Sequence, residues 1–244
     1  MKRLFLSITK GEEVRFLGHL DFLRTLERSI MRSGIPAAFS EGFNPHMRLA
    51  LDAALGVGVA ADPIYLDLRL EGDMTAEEAE ARLAPQLLRG IRIRAVREAA
   101  PEWPKLINFL NEDCYEAEGP VAGPTDPAEV ARQTEAFNRL DSFLYQRVTP
   151  KKVREMDVIP MLTEPIAVRI EGGRAYVRFS FVRSRSGTVQ PKDLWKILAE
   201  SFHMPWTPGE LVCRRCGAYH REGDRRLTPF DADAFPAPEK GPEK

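Results

Sequence analysis

Apolar positions in the first hundred residues follow two periods. "LFLSIT", near the start, and "IYLDLRLEG", from Ile64, carry apolar side chains at every second position, the signature of strands with one face buried. Between them Leu23, Leu26 and Ile30 recur at helical spacing, which predicts a helix from about His19 to Arg32. A second helix is expected over "TAEEAEARLAPQLL", where Thr75 and Glu78 have the spacing of a capping box. "AAFS" into "MRLAL" and "GIRIRAV" supply the other strands. The order strand, helix, strand, strand, helix, strand predicts a ferredoxin-like unit over residues 1–100.

Residues 101–126 are interrupted by Pro and Gly and read as a linker that includes the first strand of a second unit, "CYEAEG". Over 127–228 the pattern predicts a long helix from about Pro127 to Tyr145 and a strand near "MDVIPML". The hairpin "IAVRIEGGRAYVRFSFV" comes next, then a helix "VQPKDLWKILAESF" and a last strand "GELVCRRCGAY". The expected fold class is α+β, two tandem ferredoxin-like βαββαβ units with antiparallel sheets. Residues 229–244 are rich in Pro, acidic residues and Lys and read as a disordered tail.

Composition narrows the function classes. A chain of 244 residues with 43% hydrophobic residues can build a core in each unit. Its apolar runs are far below the roughly 18 residues of a membrane span, and the start turns charged too early for a signal peptide. Three cysteines make no disulfide framework, so a cytoplasmic protein without membrane partners is expected. The net charge of −1 conceals arginine clusters at 89–97, 147–154, 169–185 and 214–226.

Candidate chemistry is densest between residues 15 and 51. On the first helix Arg24, Arg28 and Arg32 form a basic ridge opposite the apolar stripe, with Asp21 placed to pair with Arg24. His19 falls in the first turn on the apolar side, where a structural role is the ordinary one. In "SEGFNPH" Gly42 permits a turn conformation others resist, and Pro45 forces Asn44 toward extended geometry. Ser40, Glu41, Asn44, His46 and Arg48 then offer donors and acceptors within one loop, more than a plain turn requires. No nucleophile and base can be paired from spacing, so no catalytic residue is assigned.

The run "KGEEVRFLGHLDFLRTLERSI" followed by "SEGFNPH" resembles the radical SAM-associated (radical SAM-linked) protein family, a bacterial domain of unknown function encoded beside or fused to B12-binding-type radical SAM enzymes. The resemblance covers residues 10 to 70 and returns weakly at "KVREMDVIPML". It departs at Met47 and Arg48, where the family carries Pro and then Lys. It implies an accessory role beside a radical SAM enzyme; in the reading drawn from the residues themselves, His19, Asp21 and the loop residues dock that partner or a bound end. It implies no catalytic residue.

The chain cannot itself be such an enzyme, because Cys114, Cys213 and Cys216 lack the close three-cysteine spacing that holds the cluster. "CRRCGAYH" is half a zinc site. Pairing of the first and last strands of the second unit would bring Cys114 near Cys213 and add to Cys216 and His220 a fourth ligand. Against this, two intervening residues on a strand put Cys213 and Cys216 on opposite faces. No metal and no cofactor is expected.

Alternation also sorts the sheet faces. Tyr65, Arg92 and Arg94 are expected on the outer face of the first sheet, and the strand order 4-1-3-2 would set Phe5 between them. In the second unit a Gly172–Gly173 turn sets Arg169 opposite Tyr176, with Arg178 on the same side and Val168, Ile170, Val177 and Phe179 on the other. Rings flanked by arginine on an open sheet are a means of holding single-stranded RNA. The same residues would equally suit an interface between sheets. Three readings stay open: an accessory module that presents RNA to a radical SAM enzyme, an endoribonuclease-like RNA-processing enzyme, and a protein-binding scaffold.

Overall fold

A computed structural model describes residues 2–150, 152–183 and 188–235, apart from the side chains of Thr149 and Lys152. The architecture is mixed α+β with mostly antiparallel sheet. Two compact units divide the chain, one built of residues 1–55, 63–111 and 218 onward, the other of residues 56–62 and 112–217. Residues 218–228, read from the sequence as part of the second unit, and residues 229–235 group with the first.

In the first unit β1 (Lys2–Lys10) is followed by α1 (His19–Ser33), β2 (Leu49–Leu51) and β3 (Val59–Leu70). Then come α2 (Ala76–Leu83), β4 (Ile93–Glu98) and the short α3 (Leu106–Phe109). The strands order β4–β1–β3–β2. Thr75 and Glu78 form both bonds of the predicted capping box on α2. Gly34, at φ 68°, ends α1 in the left-handed conformation that costs glycine little. Leu4, Leu6 and Ile8 of β1 and Ile64, Leu66 and Leu68 of β3 are buried on the side of the helices, as are Phe22, Leu26 and Ile30 of α1.

The other face of this sheet is covered. Phe5 and Tyr65, expected to face solvent, are 0% and 2% exposed. They belong to a core with Leu106, Phe109 and Leu110 from one segment and Ala218, Ala234 and Phe235 from the end of the described chain, with Trp103 and Phe230 packed against it. Phe235 lies 4.4 Å from both Trp103 and Phe109, and Phe230 stacks on Tyr65 at 6.0 Å. Residues 229–235 are therefore structural; residues 236–244 of the expected tail lie outside the described residues.

The second unit starts with β5 (Glu112–Pro120), α4 (Pro127–Asn138) and a two-stranded ribbon of β6 (Leu144–Thr149) and β7 (Lys152–Asp157). It continues with β8 (Ala167–Glu171), β9 (Arg174–Val182), α5 (Pro191–Ser201) and β10 (Val212–Glu222), whose last residues belong to the first unit with β11 (Arg225–Leu227). Its sheet orders β10–β5–β9–β8, and residues 59–61 run parallel beside 213–215. Helix α4 stops seven residues short of the expected end. Asn138 turns its amide to bond both backbone groups of Ile166, and residues 144–149 pair with β7 instead of continuing the helix.

Ala117, Val177, Phe179 and Phe181 meet Leu194, Trp195, Leu198 and Trp206 in the core of this unit. Gly119 makes the approach of α5 possible: a Cβ there would stand 2.2 Å from the Glu210 carbonyl oxygen and 2.7 Å from the Trp195 ring. Gly119→Ala is expected to destabilise the protein by about 1–3 kcal/mol. Chemical denaturation checks this, and an unchanged midpoint would mean that the strand yields freely at this contact.

Candidate functional site

Two surfaces hold the polar and nucleophilic groups. The first is the loop at residues 40–46. Phe39 and Met47 form an antiparallel bridge, and the Ser40 N–H donates to the His46 carbonyl at 2.8 Å. The His46 N–H donates to Ser40 Oγ at 2.9 Å, and Arg48 Nε donates to the Phe39 carbonyl at 3.2 Å. Ser40 and Arg48 thus brace the base of the loop. Glu41, Asn44, Pro45 and His46 are exposed around its tip, and Phe43 is fully exposed. An aromatic ring held entirely in water on a clamped loop gains nothing for folding.

The helix residues make local contacts. His19 is the first residue of α1 and half-buried; Asp21 and Arg24 form an exposed pair at 3.8 Å. Arg24 and Arg28 are exposed, whereas Arg32 donates to Ser29 Oγ and to the Gln86 carbonyl. The ridge is therefore partly anchored.

The first sheet does not offer the expected ring-and-arginine surface. With Phe5 and Tyr65 buried, neither ring can meet a base. Arg92 and Arg94 are exposed, but the residue in register with Phe5 is Arg97, since a bulge at Ser7 and Ile8 shifts the pairing of β1 with β4. Arg97 lies over the Trp103 ring at 4.7 Å and donates to the Pro229 carbonyl at 2.9 Å, so it holds the covering segment in place.

The second surface is the face of the β10–β5–β9–β8 sheet opposite its core. Arg169 stands in register with Tyr176 and lies over its ring at 4.3 Å. Arg178 is exposed and in register with Glu116. Arg214 bonds Glu116 at 2.7 Å, Arg174 bonds Glu118 at 3.1 Å, and Arg169 pairs with Glu171. Charge on this face is thus largely compensated.

At its centre lie two thiols. The Cys216 thiol donates to Cys114 Sγ at 3.2 Å. That bond holds the Cys114 thiol well below the usual thiol range, with help from a Ser180 hydrogen bond and the Arg178 charge, and against burial. The same shared proton pushes Cys216 up. Cys213 points to the opposite face, where burial raises its thiol to about 12. His220 bonds the Phe109 carbonyl through Nδ1 at 2.8 Å and stacks on the Phe109 ring. The expected meeting of Cys114 with Cys213 is corrected: the two-residue spacing sends Cys213 into the core and leaves Cys216 facing Cys114. Among the described residues no group of three His, Cys, Asp or Glu is disposed to hold a metal ion, and no helix is long and apolar enough to cross a membrane.

The sequence also bears comparison with known proteins. The chain belongs to a family described as uncharacterized protein conserved in bacteria (DUF2344), whose model matches residues 3–191. No curated protein matches it. Among solved structures it is similar to a chain of a Cbf5-Nop10-Gar1 complex, at 10% identity and a TM-score of 0.46, covering 87% of this chain and 48% of that one. The chain thus spans about half the length of that protein. An unknown protein from Galdieria sulphuraria is similar at 13% identity and a TM-score of 0.27, covering 74% of this chain and 80% of that one. A RAMP protein binding different RNA substrates is similar at 9% identity and a TM-score of 0.22, covering 75% and 86%. At these values none of the three carries a functional argument.

Proposed function

We propose that the chain is a non-catalytic accessory module of the cytoplasm that presents a substrate, RNA, to a partner radical SAM enzyme. We read each compact unit as a ferredoxin-like fold: the strand orders β4–β1–β3–β2 and β10–β5–β9–β8 both follow the 4-1-3-2 pattern, the second with the β6–β7 ribbon inserted. The partner is inferred from the resemblance of residues 10 to 70 to the radical SAM-associated family. The observation that carries the docking role is Phe43, fully exposed at the tip of a loop whose base is hydrogen-bonded shut. RNA is assigned to the exposed Arg24 and Arg28 and to the Tyr176–Arg169–Arg178 row of the second sheet. The compensating carboxylates on that row keep its field weak, an observation that favours the rival reading of a scaffold without RNA.

Co-purification with a radical SAM protein from the same cell tests the proposal. Phe43→Ala is expected to weaken capture by about 30-fold, the loss of a buried aromatic anchor, while changing stability by less than about 0.5 kcal/mol. Undiminished capture by this variant would remove the loop from the interface. RNA released from the complex, bound with a steep salt dependence that flattens on replacing Arg24 and Arg28 with Gln, supports the RNA assignment. A complex that carries no RNA would leave the scaffold reading.

A further inference from the structure

Cys114 and Cys216 lie on neighbouring strands, β5 and β10, with their sulfurs 3.2 Å apart. The adjacent contact joins Glu116 to Arg214. Advancing two residues on β5 therefore retreats two on β10, so the pairing is antiparallel and the cysteines stand directly opposite each other. Opposed residues in such a ladder have Cα atoms about 4.5–5.5 Å apart, within the span of a disulfide. Closing the bond asks only for a small approach of the two sulfurs.

The two thiols differ in access. Cys114 is 1% exposed and Cys216 only partly buried, on a face where Arg178 and Arg214 are open to solvent. Arg178 lies near enough for its guanidinium to act on both sulfurs. Cys213 lies on the opposite face of β10 and is buried. This arrangement has an outer attacking sulfur, an inner resolving sulfur and a cation beside both, the parts that thiol–disulfide exchange requires.

We propose that Cys114 and Cys216 form a thiol–disulfide exchange site that takes low-molecular-weight disulfides. Cys114 gives up its proton to solvent and takes the Cys216 proton on its Sγ, and the Cys216 thiolate attacks one sulfur of the small disulfide. A bond forms between Cys216 and that sulfur, the S–S bond of the small molecule breaks, and the departing thiolate takes a proton from solvent. Cys114 then releases its proton to solvent and attacks Cys216 Sγ, displacing the second thiolate, which is protonated in turn. The pair loses two electrons and two protons, and one small disulfide becomes two small thiols.

The reduced full chain, incubated with oxidised glutathione, alkylated and mapped by mass spectrometry, tests this. The expected product is a Cys114–Cys216 disulfide with Cys213 still alkylated. Cys114→Ser should trap glutathione on Cys216 at least about tenfold faster than on Cys213, a preference that vanishes in concentrated urea. Cys114 and Cys216 both remaining fully alkylated in the native chain would overturn the proposal. So would a link through Cys213, or a preference for Cys216 that survives unfolding.

Discussion

Replacing Asp67 with Ala is expected to lower the unfolding free energy by about 3–5 kcal/mol, the cost of stranding a buried charge. Arg3 is 2% exposed, and all five of its N–H donors are used. Nε and one terminal nitrogen hold Asp67 at 2.9 and 2.7 Å. The remaining donors reach the carbonyls of Ala100 at 3.3 Å, Trp103 at 2.6 Å and Pro104 at 3.1 Å. Removing the carboxylate leaves a cation that water cannot reach. Arg3→Met should cost a similar amount by the reverse route, since Asp67 and three carbonyls lose their donor together. Arg3→Lys should recover little, because a point ammonium cannot copy the planar fork. Urea unfolding of these variants reads the effect, and a loss below about 1 kcal/mol for Asp67→Ala would show that water enters the site readily.

This ion pair also bears on how far the fold is legible in the sequence. The alternation of "LFLSIT" and "IYLDLRLEG" assigns Phe5, Tyr65 and Asp67 to one face, and that assignment holds. What covers the face is set by residues far along the chain. Trp103 and Phe109 lie in a Pro-rich stretch that reads as linker, and Phe235 lies in a polar, Pro-rich ending that reads as disorder. Local composition cannot express a contact made by one ring across more than a hundred residues. The same limit applies to Arg97: its place beside Phe5 depends on a bulge, which moves register without leaving a mark on hydrophobic period.

The second unit is more readable where the turn is short. Gly172 and Gly173 leave only one register for β8 and β9, so Arg169 meets Tyr176 as the dipeptide predicts. Helix α4 reads as longer than it is because "TEAFNRLDSFLYQRV" keeps helical spacing through Phe143, and only the side-chain bonds of Asn138 to Ile166 end it. The thiol pair is half legible. The spacing of Cys213 and Cys216 puts one of them on each face, and pairing of the first and last strands brings Cys114 to β10. Which of the two it meets depends on register, and Glu116 opposite Arg214 sets that register.

The covering layer supplies the other large effect. Phe235→Ala should destabilise the protein by about 3–5 kcal/mol, the range for emptying a buried aromatic site. The ring is 5% exposed, stacks on Trp103 and reaches Phe109 and Phe5, so its removal opens a cavity bordered by three aromatic side chains that no single neighbour can fill. Ending the chain at Pro229 should cost more, since Phe230 is lost from Tyr65 and the Asp231 carbonyl from Arg97. The truncated protein is also expected to bind a hydrophobic dye that the full chain excludes, because Phe5, Tyr65 and Trp103 become accessible together. Equilibrium unfolding and dye fluorescence measure the two consequences separately. A truncated chain as stable as the parent and equally dark to the dye would mean that residues 230–235 lie on this face without holding it. Phe5 and Tyr65 would then stay covered without that segment, closed to an incoming base, and RNA would still have to be sought on α1 and the second sheet.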